Sequence, residues 1–385
     1  MHILEVLNVG QGDCVVIKTP ENCNYAEEDI FVDIGPGNYD VTQHLEKDYA
    51  HIFITHHHED HLGGIKFFAD KFDKINEITL PLFQNEISLI AKAILNLKSI
   101  KSAEDCSEFV SLLNELVNNQ YFLRTLSHKL KISFAYEGKW FCDHILALNP
   151  PVTQQSIDWL TNITEEQFNR YFSELFNEKF STQLLNYVRF AKQNIMYDGM
   201  DFIFESEQED EKPPDIIKIK ANVVVSFIIE NICLLRQFNS EPSRDNMGKI
   251  YDNYGNYTHD YCTVLKLSYN NTNFLLTGDA SKKVFRRLIK SGIDIQADYL
   301  KIPHHGSSNN IDENILDAID PKFAIISHDN GKFGNANDTH PNKETIDLLR
   351  NRNIDILVTN DVIKSDKSYC IDKKDNKTDY NVKIY

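Results

Sequence analysis

The chain has 385 residues, 42% of them hydrophobic and 25% charged, with a formal net charge of −17. That length can bury a sizeable core, either as two or three domains or as one α/β domain carrying insertions. The acidic balance repels polyphosphate at long range and excludes a non-specific nucleic-acid coat, but not a nucleotide or nucleic-acid substrate, because bound divalent cations reverse the local sign inside a cleft.

Met1-His2-Ile3-Leu4-Glu5 enters an extended pattern at once, which predicts no signal peptide. Residues 2–9 and 14–19 are apolar and β-rich, and Gly10-Gln11-Gly12-Asp13 joins them as a hairpin. Ile30 to Asp33 reads as a third strand, His51 to Thr55 as a fourth and Ile75 to Leu80 as a fifth. Residues 84–119 are expected to be helical, with Ile87, Leu89, Ile90, Ala93, Ile94 and Leu97 at helical spacing and a second helix over Ser107 to Val117. Strands resume at Lys131 to Phe134 and Ile145 to Leu148 and close at Asn149-Pro150-Pro151. Residues 156–197 read as helices, with Trp159, Phe168, Tyr171, Phe172, Leu175 and Phe176 as a packing stripe.

The acidic, proline-ended run from Glu205 to Pro214 reads as an exposed loop or linker, and residues 236–258, rich in Asn, Asp and Gly, read as loop. The longest apolar run, Val223 to Leu235, is interrupted by Glu230 and Asn231 and is too short to cross a bilayer. Regular structure then returns: strands over 262–268 and 273–277, a helix over 281–291, strand 298–302, helix 311–318, strand 322–327, helix 342–350 and strand 354–358. This order suggests a layered α/β arrangement. Cys14, Cys23, Cys106, Cys142, Cys233, Cys262 and Cys370 are scattered without a CxxC pair, which reads as reduced thiols in a cytoplasmic protein.

Chemistry concentrates after the fourth strand, in Thr55-His56-His57-His58-Glu59-Asp60-His61. His56, His58, Asp60 and His61 form H-x-H-x-D-H. A loop that turns alternate residues to one side lets His56 and His58 hold one cation and Asp60 and His61 a neighbour, and this donor set suits zinc, manganese or iron. His57 and Glu59 fill the intervening positions, and His51 reads as structural. Leu275-Leu276-Thr277-Gly278-Asp279 delivers a carboxylate that can bridge two cations, although such an aspartate is also an ordinary cap. His259 alone would pass for an exposed loop residue opening the next strand. Tyr299 to Ser308 ends a strand at His304-His305, followed by a Gly-Ser-Ser turn suited to an anion. His340 is a ligand, a substrate contact or a helix-start residue, and His328 a weaker candidate of the same kind.

Together, Leu7 to Asp13, Val32 to Gly35, Thr55 to Gly64, Leu275 to Asp279, Leu300 to Ser307 and His340-Pro341 resemble the metallo-β-lactamase superfamily in the family's order. More narrowly they resemble the hydrolase domain of ComEC-type DNA-uptake proteins and their stand-alone relatives. The resemblance covers about residues 1–82, 131–151 and 259–362. It implies a four-layer αββα sandwich with helical insertions. The core would comprise residues 1–83, 131–151 and 259–385, and the insertions 84–130 and 152–258. By position it implies that His56, His58, Asp60, His61 and Asp279 are ligands, with His304 favoured over His340 as the last histidine. His259 stands where ComEC-type relatives carry asparagine and where the wider superfamily places a ligating histidine. Asn8 replaces the aspartate those relatives favour. The insertions have no recognised counterpart, and neither has ComEC's membrane-spanning part, so DNA import is not implied.

The expected chemistry is metal-assisted hydrolysis with two divalent ions, zinc or alternatively manganese, that lower the pKa of a water. Asp60 would orient the nucleophile, while His304 or His305, with Ser307, would stabilise the anion or protonate the leaving group. The leading expectation is a phosphodiesterase acting on nucleic acid or nucleotide. The alternatives are an ester, thioester or lactam hydrolase, or a metallohydrolase subunit of a larger complex, such as a defence assembly, whose protein partner docks on the insertions.

Overall fold

A computed structural model describes residues 4–18, 23–69, 71–127, 130–152, 163–193, 216–329, 334–335, 338–360 and 382–384. Trp159, the acidic run 205–214 and Cys370 lie outside the described residues. The strands are β1 Leu4–Val6, β2 Val15–Ile17, β3 Glu28–Val32, β4 Tyr49–Phe53, β5 Ile75–Pro81, β6 Lys131–Ala135, β7 Trp140–Cys142 and β8 Ile145–Asn149. They continue with β9 Val264–Tyr269, β10 Thr272–Leu276, β11 Tyr299–Lys301, β12 Phe323–Ile326, the two-residue pair β13 Gly334–Asn335 and β14 Asp338–Thr339, β15 Asp355–Val358 and β16 Val382–Ile384. The α-helices are α1 Glu59–Leu62, α2 Gln84–Leu95, α3 Ser107–Ser127, α4 Glu165–Leu175, α5 Glu178–Gln193, α6 Ile216–Glu230, α7 Ile232–Ser240, α8 Arg244–Asp260, α9 Lys282–Lys290, α10 Glu313–Ile319 and α11 Lys343–Asn351.

The chain divides into two compact units. One comprises Met1–Leu82, Leu130–Pro151 and His259–Tyr385, and the other Phe83–Lys129 and Val152–Thr258. The first unit holds two seven-stranded mixed sheets, ordered β16-β1-β2-β3-β4-β5-β6 and β15-β12-β11-β10-β9-β8-β7. In each sheet a parallel ladder (β3 to β6, and β10-β11-β12-β15) continues into antiparallel strands. Val6, Ile30, Val32 and Phe53 of the first sheet share one buried cluster with Ala147, Leu265, Phe274 and Leu276 of the second, so the sheets pack face to face. Leu275, between Phe274 and Leu276, turns the other way as strand alternation requires. It joins Val284, Phe285 and Leu288 of α9, Ile315 and Ile319 of α10, and Ile346 and Leu349 of α11. This is an α/β sandwich of two mixed sheets flanked by helices, with helical insertions.

In the second unit α2 packs against α3 and α6, and α4 against α5. α4 begins with a capping box, in which the Thr164 hydroxyl accepts from Gln167 N–H and the Gln167 side chain accepts from Thr164 N–H. Residues 236–258, read as loop, are largely helical instead. Met247, Ile250, Tyr254 and Tyr257 of α8 recur at helical spacing and are buried, so packing of that stripe overrides the poor helix propensity of the Asn, Asp and Gly between them. The six described cysteines are unbridged. No helix among the described residues is long and apolar enough to cross a membrane.

His51 packs as a structural residue, although it lies in the middle of β4 rather than at its start. Its ring is buried and stacks on Phe53 with centroids 4.4 Å apart, and Nε2 lies 2.7 Å from Thr79 Oγ1. Burial pushes its pKa down to about 4. Between that value and the ordinary 6.5 the unfolded chain takes up a proton that the folded chain refuses, so stability falls as pH drops through this window. Replacement by Phe is expected to remove roughly 2.5 kcal/mol of that pH-dependent loss between pH 7 and pH 4.5. Urea melts of both proteins at pH 7 and pH 4.5 check this, and equal losses would refute it.

Candidate metal centre

The histidine cluster follows β4 directly and runs into the short helix α1, for which His58 is the capping residue. The β3–β4 pairing sets Asp33, just past β3, beside Thr55. Asp33 accepts from Thr55 N–H and Thr55 Oγ1–H, and from His61 Nδ1–H, each at 2.7 Å. The Thr55 hydroxyl in turn lies 3.2 Å from His56 Nδ1 and accepts its proton. These bonds orient both rings, so that Nε2 of His56 and of His61 turns inward.

Two groups of donors result around Asp279, beside a third, Asp13, Asp33 and His61, whose carboxylates are already engaged by Lys301, Thr55 and His61. His56, His58, His259 and Asp279 each offer one atom within 4.8 Å of the others, and Asp60, His61 and His305 do the same. In the first, His56 Nε2 lies 2.9 Å from His58 Nδ1 and 3.7 Å from Asp279 Oδ2, which is 3.8 Å from His259 Nε2. In the second, His305 Nε2 is 3.1 Å and His61 Nε2 3.8 Å from Asp60 Oδ2. Asp279 touches both groups, because its Oδ1 lies 3.3 Å from His61 Nε2. His61 Nε2, His259 Nε2 and Asp279 Oδ1 are buried and make no hydrogen bond. Buried polar atoms are ordinarily satisfied, so orphans converging from three segments fit a bound cation. Several of these His and Asp side chains could therefore hold a metal ion.

The electrostatics divide the histidines. Burial holds the pKa values of His56 and His259 well below the ordinary value and pushes His58 down to about 4, so their nitrogens are neutral near pH 7. Burial also opposes charge on His61 and His305, but carboxylates outweigh it: Asp279, Asp60 and Asp33 for the former, Asp279, Asp60 and Asp13 for the latter. Both sit above the ordinary value. Asp60 and Asp279 are correspondingly held low, because imidazoles overcome the burial that would raise them.

His259 does not open a strand; it lies in the last turn of α8, and β9 starts at Val264. His304, favoured as the last ligand, touches Asp279 Oδ2 at 3.8 Å, with Nδ1 3.3 Å from Asn310 Oδ1. Its ring packs against His259 at 4.7 Å and His340 at 5.1 Å between centroids. The structure brings His305 to Asp60 and His61, leaves His304 beside Asp279 and His259 of the first group, and puts the buried His340 against His304. Both His304 and His305 have left-handed backbones, at φ 50° and 52°. That conformation is uncommon outside glycine, and it sends the two rings to different places. Ser307 is buried, and its hydroxyl accepts from Asn309 N–H inside the turn. His328 lies apart, with Nε2 2.8 Å from the Asn360 carbonyl oxygen. Asn8, in place of the expected aspartate, pairs with the Asn360 amide and accepts from Gly10 N–H.

Sequence reasoning did not assign roles to Asp13, Asp33 and Lys301. Asp13 follows Gly12 and Asp33 stands two residues before Gly35 in the quoted motifs, and Lys301 is a cation in an apolar strand, an anomaly that marks it. Gly12 is also required: at φ +146° an added Cβ would lie 2.3 Å from the Asp60 carbonyl oxygen. Only glycine lets this turn close on the ligand loop.

Fold and site together define a two-sheet α/β sandwich with a buried His/Asp centre suited to a metal. No protein-family model matches the chain. Among curated proteins, ComE operon protein 3 of Bacillus subtilis (strain 168) is 34% identical over 96 residues. That alignment covers 25% of this chain and 12% of the relative's length.

Proposed function

We propose that this chain is a metal-dependent phosphodiesterase acting on a nucleic acid or a nucleotide. The observation that carries the metal-dependent part is the pair of donor groups sharing Asp279. His56 Nε2, His58 Nδ1, His259 Nε2 and Asp279 Oδ2 would hold one cation. Asp60, His61 Nε2, His305 Nε2 and Asp279 Oδ1 would hold the second. Divalent zinc or manganese there would supply Lewis acidity toward a phosphoryl oxygen and acidify the attacking water. Asp60 orients the water through its carboxylate. His304, outside both groups and held by Asn310, presents Nε2 to the leaving oxygen. The buried Ser307 hydroxyl shapes the turn that carries both histidines. The phosphodiester class rests on the motif resemblance to ComEC-type hydrolase domains, and the partial similarity to ComE operon protein 3 supports it. The protein's formal charge of −17 does not oppose it, since two bound dications make the centre locally attractive to phosphate.

Protein loaded with zinc or manganese is expected to cleave bis-p-nitrophenyl phosphate or DNA, and Asp60→Ala to lose that activity. Opening of a lactone, thioester or β-lactam ring with every phosphodiester left intact would replace the reading with that of a carboxyl-ester or lactam hydrolase.

A further inference from the structure

Behind His305 lies a buried charged network around Asp13, whose carboxylate could join Asp33 and His61 as a donor but is taken up by Lys301 and Ser327. Asp13 leaves the loop after β1, Lys301 ends β11 and Ser327 follows β12, and all three are buried to 2% exposure or less. Lys301 Nζ lies 2.8 Å from Asp13 Oδ1 and 2.9 Å from Oδ2. The Ser327 hydroxyl donates to Asp13 Oδ1. The Ser327 carbonyl accepts from His305 Nδ1–H at 3.1 Å, and that nitrogen is 3.5 Å from Asp13 Oδ1. The same aspartate grips the ligand loop from the other side, since its backbone N–H donates to the Asp60 carbonyl at 3.1 Å.

We infer that Asp13 and Lys301 are positioning residues that hold His305 and Asp60 in register as a ligand pair. The inference rests on the two-cation reading given above. His61 is steered by a carboxylate directly, through Asp33. For His305 the carboxylate acts one step back: Asp13 fixes Ser327, and the Ser327 carbonyl fixes the ring. That leaves only Nε2 free to face Asp60. Such outer partners orient a ligand and raise its basicity. The lysine has a physical reason to be there. Asp13, Asp33, Asp60 and Asp279 are four carboxylates converging on one centre, and Lys301 compensates Asp13, which His305 Nδ1 meets only at 3.5 Å while bonding to the Ser327 carbonyl. The pairing joins the two sheets across the sequence, which is why no local pattern reveals it.

Removing one member alone would strand a buried charge, so the test replaces both as Asp13→Asn with Lys301→Met. Metal-free wild type and double variant are titrated with Co²⁺, following heat and the visible ligand-field absorption. Wild type is expected to bind two equivalents. The variant should keep the equivalent held by His56, His58 and His259, and bind the second about 10–100-fold more weakly. Two equivalents at wild-type affinity would overturn the inference, as would equal weakening of both, which marks general structural support. A wild type that takes up fewer than two equivalents would overturn the two-cation reading itself, and the inference with it. If circular dichroism shows the double variant unfolded, Ser327→Ala carries the test, with a weakened second equivalent expected and an unchanged one overturning it.

Discussion

Asp279→Ala is expected to lower phosphodiester hydrolysis by at least about 10³-fold, equivalent to several kcal/mol of lost transition-state stabilisation. Its Oδ2 meets His56, His259 and His304 at 3.7–3.8 Å, while its Oδ1 meets His61 at 3.3 Å. On the two-cation proposal, truncation would therefore take an anionic ligand from both cations at once, which no histidine substitution would do. It also strips His61 of the carboxylate that contributes most to holding its pKa high. The side chain sits past the end of β10, after the core positions Phe274, Leu275 and Leu276, so the sheet should survive. Asp279→Asn keeps the shape and loses the charge, and should fall between wild type and alanine. Steady-state rates and metal content of the three proteins check this ranking. An alanine variant retaining a tenth of the activity, or both metals, would refute the shared-ligand role.

The strands were the legible part of the fold. Ile30 to Asp33, His51 to Thr55 and Leu275 to Asp279 are apolar runs that end at polar, catalytic-looking residues, and each ends where the structure places a donor or its support. The cluster at 56–61 was legible because four histidines and an aspartate in six positions state their chemistry without any fold. What stayed illegible depended on backbone or on distance. The sequence left the last ligand between His304 and His340; that His305 is the ring meeting Asp60 and His61 turns on two consecutive left-handed residues, a conformation that residue type alone does not announce. α8 escaped notice because four buried apolar residues are diluted among Asn, Asp and Gly, and with it went the placement of His259 on a helix. The Asp13–Lys301 contact joins positions 288 apart in the chain, beyond any periodicity. Local patterns thus gave the donors, while the tertiary pairing of β3 with β4 and of loop with β11 gave the geometry that aims them.

Chelation should have the other large effect, because the centre's charge distribution is incomplete without cations. EDTA dialysis is expected to abolish hydrolysis and to lower the thermal midpoint, and zinc or manganese to restore both. The activity argument is chemical: burial keeps His56 and His259 neutral, so without Lewis acids the charge growing on a phosphoryl oxygen is left to His61 and His305, whose charges are already matched by carboxylates. The stability argument is independent of turnover. His61 Nε2, His259 Nε2 and Asp279 Oδ1 are buried without hydrogen bonds, and each such atom costs about 1–3 kcal/mol when left unsatisfied. A cation that binds only the folded chain satisfies them and adds about 4 kcal/mol when present at 1,000 times its dissociation constant. The two readouts also separate two failures. Lost activity with an unchanged midpoint would mean that metals assist catalysis without repairing these orphans, placing the ions elsewhere than on Asp279. Unchanged activity and midpoint together would remove the metal from the reading altogether, and leave the converging donors as a structural histidine cluster balanced by Asp13, Asp33, Asp60 and Asp279.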